Sequence, residues 1–296
     1  MATLSGDTTF APATVVDALP VAPPLVSLLS SAIVSEETDE RHWATGIVHE
    51  QDQKGLPANP YWWVCHEAGG AAPGYDKGTG TGEDLVRFRP FDVYHGFSCS
   101  ANQPIPLAER EARARRLLAS VLSAAIEREL WTGTVATTAG FPNDYLENAP
   151  TDLGDFGPRR GLAELEQAAA TVQAGAPAMI HAQPRLVTAW AAAGLVTPTA
   201  SGRQLRTAMG TLVVPGAGYP GSGPDGTPGA THSWAYITGL VRVWLGPVRV
   251  TGLGPSELDT SVNDRVVRAE RAVVYSFDDA LKHAVYIDLQ TSATDF

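Results

Sequence analysis

Lysine is nearly missing from this 296-residue chain: Lys54, Lys77 and Lys282 stand alone, so eighteen of the 21 basic residues are arginine. The planar arginine fork suits multidentate pairing at interfaces, although a GC-rich genome produces the same skew. Cysteine is as scarce, with only Cys65 and Cys99. Two cysteines do not make a disulfide scaffold at this size, and they are compatible with reduced thiols or with one bond within or between subunits. No basic region followed by an apolar run opens the chain, and no run is long enough to cross a bilayer. Neither a signal peptide nor a membrane span is expected, and synthesis in the cytoplasm follows. Positive charge is in deficit too: 32 acidic against 21 basic residues leave a formal charge of −11. A surface of that sign does not hold a phosphate backbone without a local basic patch, and specific nucleic-acid binding is disfavoured.

Catalytic patterns are also lacking. There is no GxSxG elbow and no GxxxxGK[ST] loop. Gly216, Gly218 and Gly221 have GxGxxG spacing, but Pro224 and Pro228 follow where a helix is required, which predicts a surface loop. Cys65–His66 and His49–Glu50 are adjacent pairs without the i,i+4 spacing that brings two ligands to one metal. His95 and Cys99 lie on a predicted strand, where four residues span ~13 Å. Asp278 and Asp279 read as a turn. No catalytic, cofactor-binding or metal residue is assigned, and the chain is expected not to be an enzyme. A hydrolase using a Cys–His pair is the alternative of a different class.

Hydrophobic residues make up 44%, which suits a folded chain of one large or two modest domains. Twenty-nine glycines and 22 prolines point to turns, long loops and arms. Residues 1–24 contain four prolines and only Asp7 and Asp17 as charges. They read as an extended arm that needs cover for Val15, Val16, Leu19 and Val21, or as a strand and loop packed on their own domain. Residues 25–34 suggest a short helix, and Trp43–Val48 a strand. Residues 50–84 form a long Gly/Pro-rich loop bearing Tyr61, Trp62 and Trp63. Such loops commonly reach a partner, and an aromatic cluster kept within one subunit is the other reading. Leu85–Cys99 alternates, with Arg87 and Arg89 opposite Val86 and Phe88, and Pro90 predicts an edge strand or bend.

The spacing predicts a helix over 107–131, with Leu107, Ala114, Leu118, Val121, Leu122 and Ala125 on one side and Glu109–Arg113 and Glu111–Arg115 at i,i+4. Gly133 stops it. A loop then leads into a helix at 162–173, a strand at 178–181, a helix at 184–192 and a strand at 212–214, an α/β unit. Strands are expected within 234–250, at 266–275 and at 283–289, the last two joined as an antiparallel hairpin through SFDDALK.

Four ordered segments resemble one family: IHAQPRLVTAWAAAGLV (180–196), LRTAMGTLVVPGAGYPGSGPDG (205–226), WAYITGLVRVWLG (234–246) and NDRVVRAERAVVYSFDDALKHAVYIDL (263–289). The chain resembles the major capsid proteins of tailed bacteriophages with the HK97-like fold, actinobacteriophage type, over about residues 85–290. The resemblance implies an α+β fold with an N-terminal arm (1–40), an extended loop with flanking strands (41–100), a peripheral domain with a long spine helix (101–134), an inserted axial α/β domain (135–235) and C-terminal peripheral strands (236–296). It implies a major capsid protein that self-assembles into the icosahedral shell of a virion around double-stranded DNA, after assembly in the host cytoplasm. The implied partners are many copies of itself as pentamers and hexamers, with portal, scaffolding or decoration proteins. Contact with packaged DNA would be non-specific at most, and no membrane or cofactor is implied. An encapsulin-like nanocompartment shell shares the fold, and a decoration module of a virion is a further alternative. Candidate inter-subunit contacts are Val15, Val16 and Leu19 on the arm, Tyr61, Trp62 and Trp63 on the loop, and Arg87 and Arg89 on the strand beyond it. Some relatives crosslink a lysine to an asparagine; Lys54 and Lys77 have no identifiable partner, and no crosslink is expected.

Overall fold

The structure is a computed structural model that describes residues 23–39, 43–50, 85–100, 106–173, 176–252, 258–259 and 264–290. In chain order the elements are α1 (Leu28–Ser31), β1 (Ile33–Glu36), β2 (Ile47–Glu50), β3 (Leu85–Phe88), β4 (Phe91–Ser100), α2 (Leu107–Thr132), α3 (Thr134–Ala139) and β5 (Thr151–Phe156). Then come α4 (Pro158–Gln173), β6 (Ala178–Ala182), α5 (Pro184–Ala192), β7 (Val196–Pro198), β8 (Leu205–Thr207) and β9 (Leu212–Pro215). The chain finishes with β10 (His232–Gly239), β11 (Arg242–Leu245), β12 (Arg249–Thr251), β13 (Leu258–Asp259), β14 (Asp264–Ser276), a 3-10 turn (Asp279–Leu281) and β15 (His283–Asp288).

Helix α2 forms where the periodicity places it. Pro106 precedes it, and Gly133 ends it at φ +57°, a left-handed conformation in which glycine has no Cβ penalty. Its 26 residues make a rod roughly 39 Å long. Ala114, Leu118, Leu122, Ile126 and Leu130 form the buried stripe. Leu107, expected on that stripe, is exposed. The Glu111–Arg115 pair is present at 2.9 Å. Arg113 stacks on Phe97 instead, with its guanidinium carbon 4.6 Å from the ring centre.

Helix α2 lies across a six-stranded sheet ordered β1-β11-β14-β12, with β13 and β4 also paired to β14. Cross-strand partners share a face, and Phe91, Val93, Val267, Ala269 and Val273 are buried together beneath the helix. The alternate residues Asp92, Tyr94, Ser98, Val266 and Arg268 are exposed on the other face. This one-sided burial is the ordinary condition of an antiparallel sheet. Pro90 marks the break between β3 and β4, and β4 pairs only with β14 among the described residues, as its proline predicted.

A seven-stranded mixed sheet, β5-β15-β10-β6-β9-β8-β7, makes the second layer. Its inner strands β15, β10, β6 and β9 are mostly apolar on both sides because both sides are covered. Ile180, Ala182, Ala235, Ile237, Val285 and Ile287 face α4 and α5. Met179, Trp234, Tyr236 and Ala284 join the cluster that holds the inner residues of α2. Gly161 lets α4 approach closely, since a Cβ there would lie 3.0 Å from Ile287.

The expected hairpin between 266–275 and 283–289 does not form. Strand β14 belongs to the six-stranded sheet, while β15 pairs with β10 and β5 in the other. The physical reason lies in the strand's own pattern: Ala284, Val285 and Ile287 are all buried, so β15 requires cover on both faces, which an edge beside β14 would not provide. Buried Phe277 and Leu281 anchor the crossover, and Asp278 caps it by accepting from the Ala280 amide. Residues 236–296 are accordingly divided between the two sheets, and the sheet built on 135–235 also takes in β15. Helix α3 and strand β5 lie in the stretch read as loop, and β7 and β8 lie between the predicted 184–192 helix and 212–214 strand, where no element was expected.

The layers are fastened at the C-terminal half of α2. The fully buried Glu127 carboxylate accepts from the Leu28 amide (2.9 Å), the Ser123 hydroxyl (2.9 Å) and the Gly218 amide (2.9 Å). Replacing Glu127 by alanine leaves two buried amides without acceptors. The expected loss is about 3 kcal/mol or more in urea unfolding. A loss below about 1 kcal/mol would show that the carboxylate does not hold the layers together.

Candidate functional site

The residues with the most constrained chemistry gather around the end of α2. Trp131 is fully buried, 4.9 Å from the Tyr219 ring and 4.8 Å from Tyr236, the latter edge-on. Its indole N–H donates to the Ser222 carbonyl at 3.0 Å and to Glu147 at 3.1 Å. Glu129 receives the amides of Val135 and Ala136 and so starts α3. Burial raises its pKa despite those two amides. Asp144 and Lys282 form a buried ion pair at 2.5 Å, with Asn148 donating to the other Asp144 oxygen.

The glycine loop lies on this junction and not out in solvent. Gly216, Gly218 and Tyr219 are buried. A Cβ on Gly218 would come within 1.9 Å of the Ala124 carbonyl, and one on Gly223 within 2.2 Å of the Trp234 ring. Close packing on α2 and β10 therefore accounts for these glycines, and the surface-loop expectation is corrected for the 216–223 part.

His181 on β6 is completely buried between Tyr219 (Nδ1 to hydroxyl, 2.8 Å) and Thr238 (Nε2 to hydroxyl, 3.0 Å). Desolvation lowers its pKa to about 3, so the ring is neutral and fully partnered. Burial raises the Tyr219 pKa well above its usual value, with the Glu127 charge adding to the effect. These groups are satisfied within the core. Among the described residues no group of three or more His, Cys, Asp or Glu is placed to hold a metal. No helix there is long and apolar enough to cross a membrane.

The sequence-predicted contact residues divide. Val15, Val16, Leu19, Tyr61, Trp62 and Trp63 lie outside the described residues, as does Cys65. Arg87 is exposed on β3, which among the described residues pairs only with β2. Arg89 is exposed but tethered: its backbone exchanges two hydrogen bonds with Asn143, and its guanidinium sits 5.8 Å from the Phe141 ring centre. Two exposed surfaces were not foreseen. One is the open sheet face, where Arg268 stacks at 4.9 Å on Tyr94, itself 63% exposed. The other is the β8–β9 turn, where Met209 is 80% exposed. A short alternation in each strand was the available signal, but it does not say which face lacks cover.

No protein-family model matches the chain, and no curated protein resembles it in sequence. Solved structures do. A chain of Gordonia phage Cozz shares 11% identity over 98% of this chain and 96% of its own, with a TM-score of 0.56. A chain from the capsid of the native GTA particle shares 13% over 96% and 97%, with a TM-score of 0.56. A chain of Mycobacterium phage Cain shares 12% over 97% of both, at 0.51. Likeness at such identity is one of architecture: the chain has an α+β fold that resembles the HK97-like capsid architecture.

His181 makes a prediction. Its folded pKa lies below the unfolded value, so the unfolded chain binds the proton first and stability falls as pH drops from about 6.5 toward 3. Burial lowers the His283 pKa as well, which adds a contribution of the same sign. Urea unfolding should lose roughly 1.4 kcal/mol per pH unit for His181 below that point. His181→Gln should reduce the slope by about one proton; an unchanged slope would mean that His181 is accessible and ordinary.

Proposed function

We propose that this chain is a major capsid protein that self-assembles into an icosahedral shell around phage double-stranded DNA. The observation that carries the reading is a likeness of fold that runs nearly end to end, with 96–98% of both chains matched, including a chain of the GTA capsid. In this reading α2 is the spine of the peripheral layer, and the seven-stranded sheet with α4 and α5 is the axial layer. The partners are further copies as pentamers and hexamers, with portal, scaffolding or decoration proteins joining the shell. The arm with Val15, Val16 and Leu19 and the loop with Tyr61, Trp62 and Trp63 serve as the reaching segments. The net charge of −11 suits a container whose wall does not grip packaged DNA.

The internal chemistry is consistent with that use. The buried polar residues fasten the subunit to itself, and what remains outward is sheet edge, open sheet face and loop, from which many copies of one contact can be made. Light scattering on the purified full chain should report masses that are large multiples of 31.2 kDa. A mass that stays at one chain across concentration and salt would overturn the reading.

A further inference from the structure

The seven-stranded sheet is electrically polarised from edge to edge. Between Glu166 and Asp225 the sequence contains no acidic residue, while Arg185, Arg203 and Arg206 fall within that span. Residues 143–157 show the reverse, with Asp144, Glu147, Asp152 and Asp155 and no basic residue. The fold places parts of these stretches at opposite ends: β5 is one edge strand, and β7 with its β8 neighbour, which bring Arg203 and Arg206, is the other. Arg185, on α5, instead donates to the Ala230 and His232 carbonyls at the start of β10. Asp152 and Asp155 are exposed on β5, and Asp225 is exposed beside it. Arg203 and Arg206 are exposed on the β7–β8 hairpin. Arg206 donates to the Gly210 carbonyl, which holds the side chain at the turn.

Arg159, Arg160 and Lys282 lie near the acidic edge and Glu166 near the basic one, and each is internally engaged, Lys282 by Asp144. Arg160 pairs with Glu164 at 3.4 Å and stacks on Phe156. Glu166 accepts from the Thr207 and Thr211 hydroxyls. Six interstrand spacings separate the edges by roughly 29 Å. That is several Debye lengths at physiological salt, so the two charge groups do not neutralise one another within a subunit.

Neither edge is built to extend the sheet. Pro198 removes an amide from β7, and the β5–β15 pairing is interrupted by a register shift between Ala284 and Tyr286. Both are devices that blunt ladder formation. Side-chain charge is then the means of recognition. At the acidic edge a cavity of about 390 Å³ is lined by Asp152, Asp155, Asp225, Trp234 and Tyr286. Carboxylates over aromatic rings are the surroundings that suit a guanidinium.

We propose that the β7–β8 edge of one copy docks head to tail on the β5 edge of the next, with Arg203 and Arg206 facing Asp152, Asp155 and Asp225. This rests on the shell reading and names the contact within one ring of it. Two like edges would set carboxylate against carboxylate, so a two-fold pairing through them is disfavoured and a heterologous contact that closes by rotation is favoured.

The experiment is a charge exchange on the full chain, read by sedimentation velocity. D152R/D155R and R203E/R206E should each raise the concentration of half-association about tenfold or more, and an equimolar mixture should recover to within about threefold of wild type. Wild-type association should also weaken as sodium chloride is raised, a measurement that needs no variant. Variants that associate like wild type, a mixture no better than its components, or salt-independent association would overturn the edge contact while leaving shell formation intact. A wild type that never associates would overturn both.

Discussion

A carboxylate deprived of water must find its partners in the protein, and Glu127 finds them in two segments far away in sequence. The Leu28 amide lies 99 positions earlier and the Gly218 amide 91 positions later, each at 2.9 Å. Those bonds require α1 and the glycine loop to arrive at one turn of α2 together. Gly218 is what makes the arrival possible, because any side chain there would meet the Ala124 carbonyl. The six-stranded sheet beneath α2 and the seven-stranded sheet beneath Trp131 are thereby held in one relation.

In the proposed shell, a fixed relation between layers matters because the subunit's contacts would have to repeat. Small angular errors at one interface would accumulate around a ring, whereas a close-packed junction transmits geometry without yielding. The Trp131–Tyr219–Tyr236 cluster and the Asp144–Lys282 pair surround the Glu127 node and reinforce it. The polar groups at this junction are turned inward and satisfied. His181, between two hydroxyls and neutral, is the plainest case.

The long helix was legible in the sequence because it is uninterrupted and its apolar stripe is regular, and its ends are marked by Pro106 and Gly133. Helix α5 and strand β6 were legible for similar local reasons. The pairing of β14 with β15 was misread because the two are adjacent in sequence, and only the two-sided burial of Ala284, Val285 and Ile287 separates them. Strands of three residues such as β7 and β8 have too few positions to show alternation. Glu127 and Glu129 were missed because, in the run IEREL, they read as ordinary solvent-facing charges. What distinguishes them is the arrival of backbone amides from other segments, which no local pattern announces. Of the contact residues chosen from sequence, Arg87 and Arg89 are exposed as the alternation suggested. The edge charges at Asp152, Asp155, Arg203 and Arg206 needed the strand order to acquire meaning.

Electron microscopy of particles formed by the purified full chain tests shell building most directly. Closed icosahedral shells tens of nanometres across, in which the two-sheet subunit repeats with α2 intact beneath its sheet, are the predicted result. Dispersed single subunits, or open aggregates with no repeating subunit contact, would contradict it.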